Sequence, residues 1–224
     1  VTEPLDRAAM AAMARVVREA TESLEAYEHS KALEAIETFF WQFCDDYIEL
    51  VKNRAYGTAD STGVTPSEAA VLSARTTLGL GLDAFARLLA PYLPYATEEV
   101  FSWMHEGEGS VHRAAWPDAA VYEAAAGSVS ADVLDWAGKA LAELRGLKSQ
   151  AKVSMKTPIL SATLAAPTDA VEAITSTLSD IAEAGRVTGP LTVVEAAAGE
   201  GEADATVAVT ASELGEPPAK KPKA

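Results

Sequence analysis

The stretch FFWQFCDDYIELVKNRAYG, Phe39 to Gly57, gathers six aromatic residues, the chain's single cysteine, two adjacent aspartates and a Lys-Asn-Arg triplet into nineteen positions. At a helical period Leu33, Ile36, Phe40, Phe43, Cys44, Tyr47, Ile48 and Val51 fall on one side. The stretch therefore reads as the latter half of an amphipathic helix opening near Ser30, a residue type whose hydroxyl caps a first turn. Asp45 and Asp46 are neighbours and point about 100° apart on a helix, so they do not form a proton-sharing pair. Asp45 and Glu49 have the spacing to meet, but carboxylates on the polar face of such a helix read as solvated surface. Cys44 lies on the apolar stripe with no histidine near it and reads as a small core residue rather than a nucleophile. The stretch is packing, except at its end. Lys52, Asn53 and Arg54 occupy the last turn, where the macrodipole favours cations. Beside Tyr56 they are also an ammonium, an amide and a planar guanidinium, groups that hold phosphates and unstacked RNA bases.

Working outward, Leu5, Met13, Val16, Val17, Ala20 and Leu24 recur every three or four positions and predict a helix from Leu5 to about Tyr27. GTADSTGVTP, from Gly57 to Pro66, is an exposed connection. After it Ser67 caps a helix whose stripe is Val71, Leu72, Leu78, Leu82, Phe85, Leu88 and Leu89, ending at Pro91. Pro94 opens a shorter helix through Met104, since a first turn leaves that amide unpaired anyway. Four helices on short turns predict an antiparallel bundle over residues 1–120. The texture then changes. A helix from Ser130 to about Lys152 leads into the alternating strand ILSATLAA at Ile159, a helix from Thr168 to about Ala184, and strands at Leu191 and Ala205. That order suits a small α+β module with about three strands over residues 121–212. The fold class is thus mainly α, a bundle of about four helices followed by the α+β module. Residues 213–224, ending GEPPAKKPKA, are too polar to build a core and read as a disordered tail.

Composition narrows the function. The net charge of −15 opposes a delocalised grip on nucleic acid, because an acidic body repels phosphates at long range. A local grip survives: from Lys139 to Lys156 the charge reverses, with Lys139, Arg145, Lys148, Lys152 and Lys156 against Glu143 alone. Arg145, Lys148 and Lys152 share one exposed helical strip, and Lys156 falls in the VSMKTP turn. One cysteine excludes an internal disulfide and fits a reducing compartment, with cytoplasm as the default. His29, His105 and His112 lie too far apart to pair on a helical turn, so no metal site is expected. No apolar run reaches the 18 to 20 residues that span a bilayer. The opening VTEPLDRAAM carries neither an initiator methionine nor a secretory pattern and reads as the start of a fragment or processed product.

Three tempting motifs fail. VSMK has the wrong residue order for an ATP-site signature. GLGLDAF at Gly79 lacks the strand that must precede a dinucleotide loop, so its glycines read as close-packing points. KKPK near the end reads as a solubilising tail.

VTEPLDRAAM, FFWQFCDDYIELVKNRAYG, LLAPYLPYATEEVFSWM from Leu88 and EGSVHRAAWP together resemble the C-terminal part of bacterial valyl-tRNA synthetases, class I enzymes. Leu-Ala-Pro with a following Glu-Glu is shared with the isoleucyl and leucyl enzymes, whereas its combination with EGSVHRAAWP favours the valyl family. Residues 1–120 resemble that family's helical anticodon-binding domain. LRGLKSQAKVSMKTPILSATLAA and the strands after it resemble, more loosely, the small module that follows. The resemblance implies a grip on the anticodon stem-loop of tRNA-Val, by a monomer joined to an upstream catalytic domain. Neither the His-Ile-Gly-His nor the Lys-Met-Ser-Lys-Ser signature occurs, so no cofactor is expected here; ATP and magnesium belong to the full-length enzyme, and no catalytic residue is expected. The candidate RNA contacts, chosen from local charge, are Arg15, Arg18, Lys52, Asn53, Arg54, Arg145, Lys148 and Lys152. The competing reading is an architectural module that braces a catalytic domain through exposed Trp41, Phe101 and Trp103.

Overall fold

The computed structural model describes residues 1–60, 63–196 and 206–217. Its helices are α1 (Pro4–Glu25), α2 (His29–Gln42), a π turn (Phe43–Tyr47), α3 (Ile48–Tyr56), α4 (Glu68–Leu89), α5 (Pro94–Met104), a 3-10 turn (Val111–Arg113), α6 (Ala119–Ala126) and α7 (Asp132–Gln150). Then come β1 (Ile159–Ala166), α8 (Thr168–Ser176), α9 (Leu178–Gly185), β2 (Leu191–Glu195) and β3 (Ala208–Leu214). The mainly α architecture with a small three-stranded sheet is as the sequence predicts. The chain divides into two compact units: Val1–Ile48 with Ala69–Ala131, and Glu49–Glu68 with Asp132–Ala224. The second unit therefore begins later than residue 121 and also takes α3, the basic end of the quoted stretch. Proximity in sequence to the aromatic run does not decide which core α3 joins.

The first unit is built on an alanine-rich face. Leu5, Ala8, Ala9, Ala12, Met13, Val16 and Ala20 of α1 are buried, and so are Tyr122 and Ala126 of α6. The sequence reading missed α6, although Asp118 at its start accepts a hydrogen bond from the Ala120 amide at 3.0 Å, an ordinary N-cap. Buried Asp6 accepts hydroxyl hydrogen bonds from Tyr47 (2.8 Å) and Ser73 (2.6 Å). The same Ser73 hydroxyl accepts the amides of Thr2 and Glu3 at the mouth of α1. One buried carboxylate thus ties the first helix to the π turn and to α4, with its polar atoms satisfied.

The aromatic stripe packs as expected but rotated. Phe39, Phe43, Tyr47 and Leu50 are buried, whereas Phe40, Cys44 and Ile48 are half-buried flanks. Almost every position is apolar here, so hydrophobicity leaves the angle of the stripe open; neighbours and the π turn decide it. Burial pushes the Cys44 thiol up, Asp45 adding to it, which keeps it a thiol. On α4 Phe85 and Leu88 are buried as the stripe predicts, but most of the inward face is small (Ser73, Ala74, Thr77, Gly81, Ala84), and Leu72 and Leu82, assigned to the stripe, are exposed. A side chain on Gly81 would meet the Phe43 ring at 2.5 Å, whereas Gly79 has nothing within 4 Å. Only one of the two glycines is a close-packing point.

In the second unit β1 is central, parallel to β2 and antiparallel to β3, in the order β2-β1-β3. Ala162, Leu164 and Ala166 alternate inward, and a register shift between Ile159 and Ser161 lets Ile159 be buried out of phase. The helix predicted from Thr168 to Ala184 breaks at Thr177, whose hydroxyl donates to the carbonyls of Ala173 and Ile174 and competes with the helical ladder. Glu213 and Leu214, assigned to the tail, belong to β3, where Leu214 pairs with Ile159; residues 218–224 lie outside the described residues.

Candidate nucleic-acid interface

The predicted cations do not form one surface. In the first unit Arg18 forms an ion pair with Glu123. Arg15 is exposed and lines a groove with Lys31, where Glu19 and Glu34 balance the two positive charges. The second unit concentrates the rest. A cleft of ≈ 220 Å³ is lined by side chains from α3, α7 and the end of α9, among them Lys52, Arg145, Lys148 and Arg186 against Glu49 and Glu183. In a chain of net charge −15 that local excess of cations stands out.

Four of the predicted residues are engaged by carboxylates around it. Arg54 grips Asp180 with two prongs, Nε to Oδ1 at 3.0 Å and Nη2 to Oδ2 at 3.0 Å. These side chains are only 9 % and 12 % exposed, and Asn53 donates to Glu183 beside them. Together they lash α3 to α9 and fix the cleft's walls, so Arg54 is a buried ion-pair member rather than a displayed cation. Lys52 and Arg145 share one carboxylate, Glu49, at 3.0 and 3.4 Å.

Lys148 was expected on an exposed strip, yet it is 2 % exposed. Helix α7 turns that position inward, and the ammonium donates to the carbonyls of Met155 (3.2 Å) and Gly185 (2.8 Å). Burial, with Arg186 and Arg145 adding, lowers it to about 8. Among the described residues no carboxylate pairs with Lys148 or with Arg186.

The residue missed by the sequence reading is Arg186. Helices α7 and α9 both end in Schellman motifs. Val153 and Lys152 amides close on the carbonyls of Lys148 and Ser149, and Val187 and Arg186 amides on those of Ala182 and Glu183. The left-handed position that glycine normally takes is filled by Lys152 (φ 53°) and by Arg186 (φ 55°). A side chain there costs about 1 kcal/mol. Among the described residues only Tyr27 shares this conformation without being glycine. A lone Arg after EAG carried no sequence signal except its place where a helix-stopping glycine is usual.

Trp41 and Trp103, named for the architectural reading, are 54 % and 72 % exposed, but Phe101 is 3 % exposed and belongs to a small core with Ala90 and Val111.

A family model described as the anticodon-binding domain of tRNA ligase matches residues 6–164. The chain belongs to that family. Among curated proteins it is 70 % identical over 227 residues to the valine–tRNA ligase of Bifidobacterium longum (strain NCC 2705), covering all of this chain and 25 % of that protein. It is 42 % identical over 223 residues to that of Cutibacterium acnes (all of this chain, 23 % of that protein). Against that of Leifsonia xyli subsp. xyli it is 47 % identical over 187 residues (84 % and 20 %). The chain spans about a quarter or less of the length of these relatives. The anticodon-binding family match stops within β1, so α9 and Arg186 lie beyond it.

Proposed function

We infer that this chain is the tRNA-gripping portion of a valine–tRNA ligase, holding the anticodon stem-loop of tRNA-Val while another part of the polypeptide performs the ligation. The observation that carries this reading is the match to an anticodon-binding domain together with similarity to valine–tRNA ligases along the whole chain. On it, ATP and magnesium serve the portion of the enzyme this chain does not span, and the whole acts as a cytoplasmic monomer. Backbone phosphates are the natural ligands for the exposed cations Arg15 and Lys152 and for Lys52 and Arg145, which share the single carboxylate of Glu49, while Arg54 and Asn53 hold the surface in shape. Titration with tRNA-Val through a salt series tests this. Three or four neutralised phosphates make the affinity fall about tenfold or more between 50 and 200 mM salt, and a flat response would contradict it.

The exposed indoles of Trp41 and Trp103 favour a second role alongside the first, as apolar points against which another protein segment is braced. Among the described residues each donates only to a glutamate one turn back on its own helix, Glu37 and Glu99.

A further inference from the structure

A buried ammonium normally has a carboxylate or metal-bound anion beside it. Lys148 has two neutral carbonyls, and the charges that weigh on it are the guanidinium groups of Arg186 and Arg145. The cleft it lines is therefore short of negative charge. Glu49 is divided between Lys52 and Arg145, and Glu183 is engaged by Asn53. Its shape is fixed in advance, because the two-pronged Arg54 to Asp180 pair holds α3 against α9. Arg186 lines it in a conformation that glycine would hold with less strain. Strain kept at a cleft points to use of the side chain that causes it. With water occupying about 30 Å³, the ≈ 220 Å³ cleft has room for one phosphate group and its hydration.

We propose that this cleft is a binding site for a single phosphate oxyanion, held by Lys148, Arg145 and Arg186, and that in the working protein the oxyanion is a backbone phosphodiester of the RNA. The second clause rests on the tRNA-binding reading above; the first does not. The site lies partly outside the segment matched by the anticodon-binding family, so it extends RNA contact into the α+β module.

Two variants test it. Arg186→Gly relieves the left-handed strain, so its urea midpoint is unchanged or raised. It loses tRNA-Val affinity several-fold and flattens the log–log salt slope by about one. Lys148→Met gives the same flattening. Wild-type affinity and slope in both variants would overturn the assignment to RNA. An independent arm follows amide chemical shifts on adding inorganic phosphate at low salt. Ala184, Gly185 and Arg186 amides shift in the wild-type chain and stay still in Arg186→Gly. Failure of the unaltered chain to bind tRNA-Val would defeat the function inferred above and, with it, the RNA clause. The phosphate titration then judges the cleft alone, and silence at those three amides would overturn it.

Discussion

Arg54 and Lys148 are both basic residues near helix ends, and the sequence treats them alike; both are largely buried, and their partners separate them, a carboxylate for Arg54 and two carbonyls for Lys148. Breaking the Arg54 to Asp180 pair leaves a nearly buried carboxylate without its partner, so Arg54→Ala destabilises the second unit by about 3 kcal/mol or more. Arg54→Lys recovers only part, because an ammonium lacks the second prong. Urea unfolding measures both; a change below about 0.5 kcal/mol would return Arg54 to the surface. Lys148 gives a pH signature instead. Its folded-state value is about 8 against an ordinary 10.5, so between these limits the unfolded chain holds the proton that the folded chain has released. Stability therefore rises as pH climbs from about 8 to 10.5, with a slope of at most about 1.4 kcal/mol per pH unit. Subtracting the same curve for Lys148→Met isolates this rise, and a difference flat over that interval would refute it.

At the scale of elements, α4 offers a paired test. Alanine at Gly79, where a Cβ meets nothing, gains up to about 1 kcal/mol of helix propensity. Alanine at Gly81 drives into the Phe43 ring, itself packed on Phe39, Phe85 and Tyr47, and costs about 1–3 kcal/mol. Thermal melts that moved the same way for both would show that the two glycines are equivalent. The contrast also marks where sequence reading runs out. Periodicity located α1, the long helical run from His29 to Tyr56, α4, α5, α7 and β1 within a few residues, because each carries a repeating apolar signal and a Pro, Ser or Thr near its start. It assigned Leu72 and Leu82 inward and overlooked the small residues that face the core, since close approach is decided by the partner helix. It missed α6, too short and alanine-rich for a stripe. Of the candidate residues, Lys52 and Arg145 line the cleft and share Glu49, whereas Arg54 and Arg18 are held by carboxylates 126 and 105 positions away, a pairing that sequence spacing does not show. Arg186 was legible only as backbone, through the φ its position demands.

For the whole molecule, a net charge of −15 means that any RNA contact must work against long-range repulsion. The cleft's excess of cations and the salt dependence predicted above express the same balance, steepest at low ionic strength where both attraction and repulsion are unscreened. Among the described residues no helix is long and apolar enough to cross a membrane. The central claim is that this chain recognises tRNA-Val through its anticodon arm. The direct measurement is the affinity of the chain for tRNA-Val and for the same tRNA with its anticodon exchanged, at one fixed salt concentration. The account predicts at least tenfold weaker binding after the exchange, and equal affinity for the two would contradict it.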